Sequence, residues 1–411
     1  MIKRKTAALL SALAMLLTMS TALAEENCAA SIGSTPYATF DEAFAALKSG
    51  DTLKLESDCT SSKASALSGV TDVTLDLNGK TLTYTYERIY LDNSASLTIT
   101  DSSSGADGTL THTGWVGPVL SLKNRSVLTF EKGNITTTTA TYGNGLISVS
   151  DSKLEVKGGN IISAGAAIYT ENQSANDMTT EVYISGGNIE STGASYNYNA
   201  INAHGAVNLT ITGGSLSAKT NCILLNGGNT SEQANGLELR ITGNPTITAS
   251  EYAIRFDGDV HETLYIDGGA IDGLIGEGPY VPDNYSADIS ITGGTFSAEP
   301  NKSYLAEGLT AELENGRYII KEAATVTVTT ENICSADGID GTTATGFITT
   351  ISGGALTINT IKWAVTHENE TKYAQFTPAK PIEIAGEGEA KIGLVVDGFK
   401  DAYAGAVAAI N

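Results

Sequence analysis

One phrase recurs along this chain and limits what it can fold into: apolar, any residue, apolar, any residue, Gly-Gly, any residue, apolar. It reads LEVKGGNI at 154–161, VYISGGNI at 182–189, LTITGGSL at 209–216, LYIDGGAI at 264–271 and ISITGGTF at 289–296. Degenerate copies stand at 97–104 (LTITDSSS), 128–135 (LTFEKGNI) and 239–247 (LRITGNPTI). Counted at the position of the first glycine (132, 158, 186, 213, 243, 268 and 293), the copies are 26, 28, 27, 30, 25 and 25 residues apart. Self-similarity at such a period marks a stack of repeats, each too small to bury its own apolar face alone.

Within each copy the alternation sends one set of side chains inward and the other outward, because successive residues of a strand face opposite ways. Leu209 and Ile211 point in, Thr210 and Thr212 out. A second short apolar phrase follows each copy, such as GLISV at 145–149, AAIY at 166–169, NAIN at 199–202, CILL at 222–225 and YAIRF at 252–256. No helical period interrupts the repeats, so the crossovers that parallel strands require are made by other strands of the same coil. The expected fold is therefore all-β: a right-handed parallel β-helix solenoid, its hand following the general rule for parallel crossovers.

Both ends of the stack carry signals of their own. Thr39 followed by Glu42 is a capping box, and Phe40, Ala43, Phe44 and Leu47 fall on one face before Gly50, which predicts an N-terminal capping helix across the first coil. At the far end Glu314-Asn315-Gly316 between LTAEL and RYII predicts a hairpin. Beyond about Ala323 the phrase disappears and longer alternating segments take over, at 325–329, 347–351, 356–365, 372–376 and 390–396. We expect a small C-terminal β-sandwich there, immunoglobulin-like in architecture, whose single cysteine, Cys334, excludes the internal disulfide of that class. Residues 1–24 are a signal peptide, with Lys3, Arg4 and Lys5 ahead of an apolar run and Ala22-Leu23-Ala24 at the cleavage site. The expected domains are thus 25–322 for the capped solenoid and 323–411 for the sandwich.

That leader places the protein outside the cell, and no later stretch approaches the ~20 apolar residues of a spanning helix. The 46 acidic residues outnumber 24 basic ones, for a net charge of −22, which argues against nucleic acid and anionic lipid as partners. The four cysteines, Cys28, Cys59, Cys222 and Cys334, are too widely spaced for a short zinc pattern, and no metal or cofactor is expected. Export permits a disulfide, and Cys28–Cys59 is the one close pair; buried free thiols are the alternative.

The opening IGSTPYATFDEAFAALKSGDTLKLESD with VTLDLNGKTLT, and the closing SITGGTFSAEPNKSYLAEGLTAELENGRYII, resemble secreted right-handed β-helix (pectin-lyase-like) proteins of anaerobic, largely gut-associated bacteria. The resemblance covers roughly residues 28 to 322. It implies the fold and not one activity, because that group includes lyases, hydrolases, esterases and adhesins.

A packed interior leaves only outward positions for chemistry. On the Gly-Gly strand one outward column runs Thr98, Thr129, Glu155, Tyr183, Thr210, Arg240, Tyr265, Ser290, and the next includes Glu131 and Lys157. Neither column has adjacent acids, whereas a lyase needs clustered carboxylates with a base and a glycoside hydrolase two carboxylates at a set separation. No catalytic residue is therefore assigned. Glu155, Tyr183, Arg240 and Tyr265 form a candidate carbohydrate-binding track, since aromatic faces stack on sugars and Arg forks to polar groups. Tyr196 and Tyr198, in a long turn, are added as candidate binding residues. Asp257, Asp259, His261 and Glu262 beside Arg255 read as turn geometry. Asn93, Asn124, Asp151, Asn172, Asn226 and Asp257 read as a structural ladder, and His112, His204 and His367 have no legible partner. The expected function is non-catalytic binding of polysaccharide or of host or bacterial surface glycan, adhesin-like. The alternatives are a carbohydrate-active enzyme with its site in the turns at 171–181, 194–199, 228–236 and 276–288, and a purely structural surface protein.

Overall fold

The computed structural model describes residues 29–114, 117–139, 145–171, 180–227, 236–258, 262–279, 281 and 287–322, and the backbone of the strands between 325 and 385. The chain divides into two compact units, Met1–Lys321 and Glu322–Asn411. The first is a mostly parallel β-solenoid of about eight turns.

Three strands per coil build three faces. The first face stacks the alternating segments Thr52–Leu55, Val73–Asp76, Ser96–Thr100, Val127–Phe130, Lys153–Val156, Thr180–Ile184, Val207–Ile211 and Leu237–Ile241, each parallel to the next, and continues into Glu262–Glu277 and Asp288–Phe296. The second face stacks strands such as Asn160–Ser163, Asn188–Ser191 and Ser215–Ala218, and the third Ile168–Glu171, Ile201–His204 and Asn221–Asn226.

Registers run without slip on the first face from Thr52–Leu55 as far as Ile266, because a one-residue shift would expose a whole apolar set; the first shift falls just beyond Ile266, where Asp267 pairs with Gly293. Leu75, Ile99, Phe130, Val156, Ile184, Ile211, Ile241 and Ile266 are successive Cα partners, all at most 1% exposed. Burying each such side chain contributes about 1.5–3 kcal/mol.

The Gly-Gly corner makes the close stacking possible. A Cβ on Gly213 would sit 2.5 Å from the carbonyl oxygen of Ser185 on the coil before, and Gly214 turns the corner at φ +84°. The first glycine is thus a matter of clearance and the second of backbone handedness. Asp101 stands at the first-glycine position of an earlier coil. Its carboxylate accepts from the backbone N–H groups of Gly79 (2.8 Å), Ser103 (2.9 Å) and Gly108 (2.6 Å), so a side chain gathers that corner.

At the N-terminal end Ala30–Ile32 pairs antiparallel with both Thr35–Tyr37 and Thr52–Leu55. A helix follows over Phe40–Ala45, where Thr39 Oγ1 accepts from Glu42 N at 3.2 Å. Phe40, Ala43 and Phe44 are buried, and the helix touches the first strand of each face. It ends earlier than the expected run to Gly50: Ala46 closes it, and Leu47 is only partly buried. Asp51 Oδ2 takes Lys48 N at 2.8 Å, a side-chain acceptor that ties the next backbone donor outside the helix.

The hairpin Leu309–Glu314/Arg317–Glu322 turns through Asn315 (φ 51°) and Gly316 (φ 82°), both left-handed as a type I′ turn requires. Arg317 ties it to the coils, with Nη1 on Asp272 Oδ1 at 2.6 Å and Nε on Thr295 Oγ1 at 3.2 Å. The second unit contains a four-stranded antiparallel sheet, Thr325–Ser335, Thr342–Ser352, Ile361–His367 and Glu370–Phe376, and a pair, Ala355–Ile358 with Ile382–Ala385. The segment expected as one strand over 356–365 is split between these two sheets; the strand expected at 390–396 lies outside the described residues.

Candidate functional site

The outward column read from the sequence is a physical row. Thr98, Thr129, Glu155, Tyr183, Thr210, Arg240, Tyr265 and Ser290 are successive Cα partners on the first face. Tyr183 and Tyr265 are 39% and 36% exposed, large aromatic groups left to solvent. The Arg240 guanidinium lies 4.4 Å from the centroid of the Tyr265 ring and 3.0 Å from Glu238 Oε1. Glu155 bonds Lys153 at 2.7 Å, which holds its carboxyl below the usual range and raises the lysine. Lys157 sits 3.5 Å from Glu131 and 3.9 Å from Glu155. These exposed pairs fix side-chain positions and contribute roughly 0.2–1 kcal/mol each at most.

Tyr196 and Tyr198 are not on this face. Both belong to the corner that precedes the strand Ile201–His204, and both are only partly exposed. The Tyr196 ring lies 3.4 Å from the guanidinium of Arg255, and a Cβ on Gly193 would meet the Tyr198 ring at 2.4 Å. Both rings make packing contacts at that corner.

What Tyr196 covers was not legible as a buried group. Tyr169, Asn202, Leu224 and Arg255 are successive outward positions of the third face, yet Asn202, Leu224 and Arg255 are buried. Arg255 is fully buried and bonds Asp257 Oδ2 at 2.7 Å, while its Nε and Nη1 and Asp257 Oδ1 have no hydrogen-bond partner among the described residues. Burial raises the Asp257 pKa, and Arg255 and Tyr196 oppose the shift. Glu262 is also fully buried and accepts from Gly227 N at 2.8 Å; Asp259 and His261 lie outside the described residues. Nearby, the His204 ring packs on Tyr169 with centroids 5.0 Å apart, and burial lowers its pKa against the pull of Glu171.

The expected ladder is in part a coil-to-coil one. Asn93, Asn124 and Asp151 hold left-handed turns, and the amides of Asn93 and Asn124 reach Ser68 Oγ (2.8 Å) and Asp92 Oδ1 (2.7 Å) rather than each other. Asn172 lies outside the described residues. Amide-to-amide bonding between coils occurs just after the Gly-Gly corner, where Asn160 Nδ2 donates to Asn134 Oδ1 at 2.8 Å. The repeated Asn of KGNI, GGNI and GGNI was the available signal.

Cys59 is buried, its Sγ 3.4 Å from Ala29 O and 3.2 Å from Ser57 O; Cys28 lies outside the described residues. Cys222 is fully buried, which pushes its thiol up to about 12 and makes it inert. An open recess of about 570 Å³ between the second and third faces is lined by Glu251, Tyr252, Asp272 and Leu274, of which Asp272 is committed to Arg317. Among the described residues no group of three or more His, Cys, Asp and Glu could hold a metal ion, and no helix is long and apolar enough to cross a membrane.

Fold and face together define a parallel β-solenoid that displays a straight outward row of tyrosine, arginine and hydroxyl side chains. Comparison with protein-family models, with curated proteins and with solved structures finds no match to this chain.

Proposed function

We propose that this is a secreted, non-catalytic protein that uses the first face of its solenoid to bind glycan or another cell surface, in the manner of an adhesin. The observation that carries the reading is the row Glu155, Tyr183, Thr210, Arg240, Tyr265 on five consecutive coils, with its two exposed tyrosines and with Arg240 over Tyr265. At ~4.8 Å per coil the row is about 20 Å long, the reach of several sugar rings. In this reading residues 1–24 direct export, the coil is right-handed and pectin-lyase-like, the helix Phe40–Ala45 caps it, and the C-terminal unit is a sandwich that serves as spacer or attachment module. The Cys28–Cys59 bridge belongs to the same set of proposals.

Affinity electrophoresis through gels carrying plant, mucin and bacterial polysaccharides tests the reading, with each polymer sized afterwards. Retardation with intact polymer, lost in Arg240→Ala/Tyr265→Ala, is the expected result. Retardation unchanged by that double substitution would remove the row from consideration.

A second reading, a carbohydrate-active enzyme, draws on the third face, where Glu171, His204 and Asp257 fall at strand ends beside Tyr169 and Arg255. Shortened polymer in the same assay would decide for it.

A further inference from the structure

We propose that the ligand of the first face is a neutral glycan, one of whose sugar rings seats over Thr210, between Tyr183 on one side and the Arg240–Tyr265 pair on the other. This deepens the glycan-binding reading and rests on it.

The charge class follows from how the cations of the face are used. Between the coils of Glu155 and Tyr265 the outward columns hold three cations, and each already has a carboxylate: Lys153 with Glu155 at 2.7 Å, Lys157 with Glu131 at 3.5 Å, and Arg240 with Glu238 at 3.0 Å. The same columns carry Glu181 and Asp267 in addition, at register positions beside Lys153 and next to Tyr265. A carboxylated or sulfated polymer would have to compete with these carboxylates while approaching a chain of net charge −22. Recognition of anionic sugars rests on cations without a carboxylate of their own, and among the described residues the coils from Glu155 to Tyr265 offer none on this face.

The seat follows from side-chain size. Thr210 is the one small residue between Tyr183 and Arg240, which rise from strands two coil steps apart, about 10 Å. That is roughly the separation at which two flat groups hold a pyranose ring between them. The far wall is braced, since Arg240 lies 4.4 Å from the Tyr265 centroid. The floor is polar: the hydroxyls of Thr210 and Thr212 and the amide of Asn208 meet the ring's hydroxyl groups, and Thr212 Oγ1 lies 3.4 Å from Tyr183 Oη at the near wall. A sugar ring fits such a place through its apolar C–H face on the walls and its hydroxyls on the floor.

The test compares retardation of the purified protein in gels containing soluble neutral polysaccharides (hydroxyethyl cellulose, mixed-linkage β-glucan, glucomannan) with retardation in polygalacturonate and chondroitin sulfate, each at low and at high salt. The expected result is retardation by a neutral polymer, insensitive to salt, and weakened about tenfold or more both by Tyr183→Ala, which removes a wall, and by Thr210→Trp, which fills the seat. Glu190→Trp, outward on the second face, should bind as the parent does and shows that a surface tryptophan is tolerated. Circular dichroism confirms that each variant is folded. Retardation by the anionic polymers alone, abolished by salt, overturns the charge class and leaves glycan binding standing. Neutral binding untouched by Tyr183→Ala and Thr210→Trp overturns the seat. No retardation in any gel overturns this proposal and the glycan-binding reading together.

Discussion

At the scale of single residues, the corner glycines carry a constraint that is steric before it is conformational. Gly213 does not need a left-handed φ; it needs the space that a methyl group would take from the Ser185 carbonyl at 2.5 Å. Gly213→Ala should therefore destabilise the solenoid by roughly 2 kcal/mol or more, because both atoms belong to rigid backbone. Gly276→Ala is the contrast, since its nearest neighbour is an ordinary contact 3.6 Å away on Tyr252, and it should be near neutral. Urea midpoints of the two variants decide the matter, and equal midpoints would refute the account. The glycine pairs were legible because they repeat. Asp101 was not, because one carboxylate replacing one glycine looks like a decayed copy, although it gathers three backbone donors.

At the scale of elements, what could be read was whatever alternation dictates. The strands of the first face and the registers that bring Tyr183, Arg240 and Tyr265 together follow from a period of two, and the hairpin from Asn315-Gly316. The same parity fails on the third face: Arg255 is outward by its place in the strand and yet fully buried, because the corner that holds Tyr196 folds over it. Parity reports direction and not cover. The Arg255–Asp257 pair consequently has a fully buried guanidinium and a largely buried carboxylate. Arg255→Ala, which strands Asp257, should cost about 3–5 kcal/mol, while Arg255→Met combined with Asp257→Leu should cost clearly less. If the double variant proved as unstable in thermal melts as the single one, the pair would be no more than adjacent side chains.

At the scale of the whole solenoid, the response to acid has a sign and two stages. Burial, with repulsion from Arg88, holds His112 below the usual histidine range, and burial does the same to His204. Both have depressed folded pKa values, so below about pH 6.5 the unfolded chain binds more protons and stability falls as pH drops. Asp101 adds a second stage. Burial alone would raise it, but the N–H groups of Ser103, Gly108 and Gly79 bring it below the usual carboxylate value, so its contribution is present above about pH 4 and is lost as pH falls through the lowered value. Urea midpoints should decline from pH 8 to 5 and again below pH 4, with His112→Gln reducing the first decline and Asp101→Asn the second. A flat profile from pH 8 to 5 would refute the histidine stage. The histidines gave no such hint in the sequence, because nothing local to His112 or His204 tells which side of a coil each one meets.

Every coil meets only the coil before and the coil after, and the steps between corners are set by the same clearance at each Gly-Gly. The solenoid is in this sense a ruler whose smallest graduation is one coil. Its row of side chains can change in length only by whole graduations, about 4.8 Å at a time, and residues placed at matching points of different coils stay aligned however many are added or removed between them. A partner that reads spacing along this face is thus offered a fixed set of distances, and evolution can edit that set by copying or deleting single repeats without redrawing the rest.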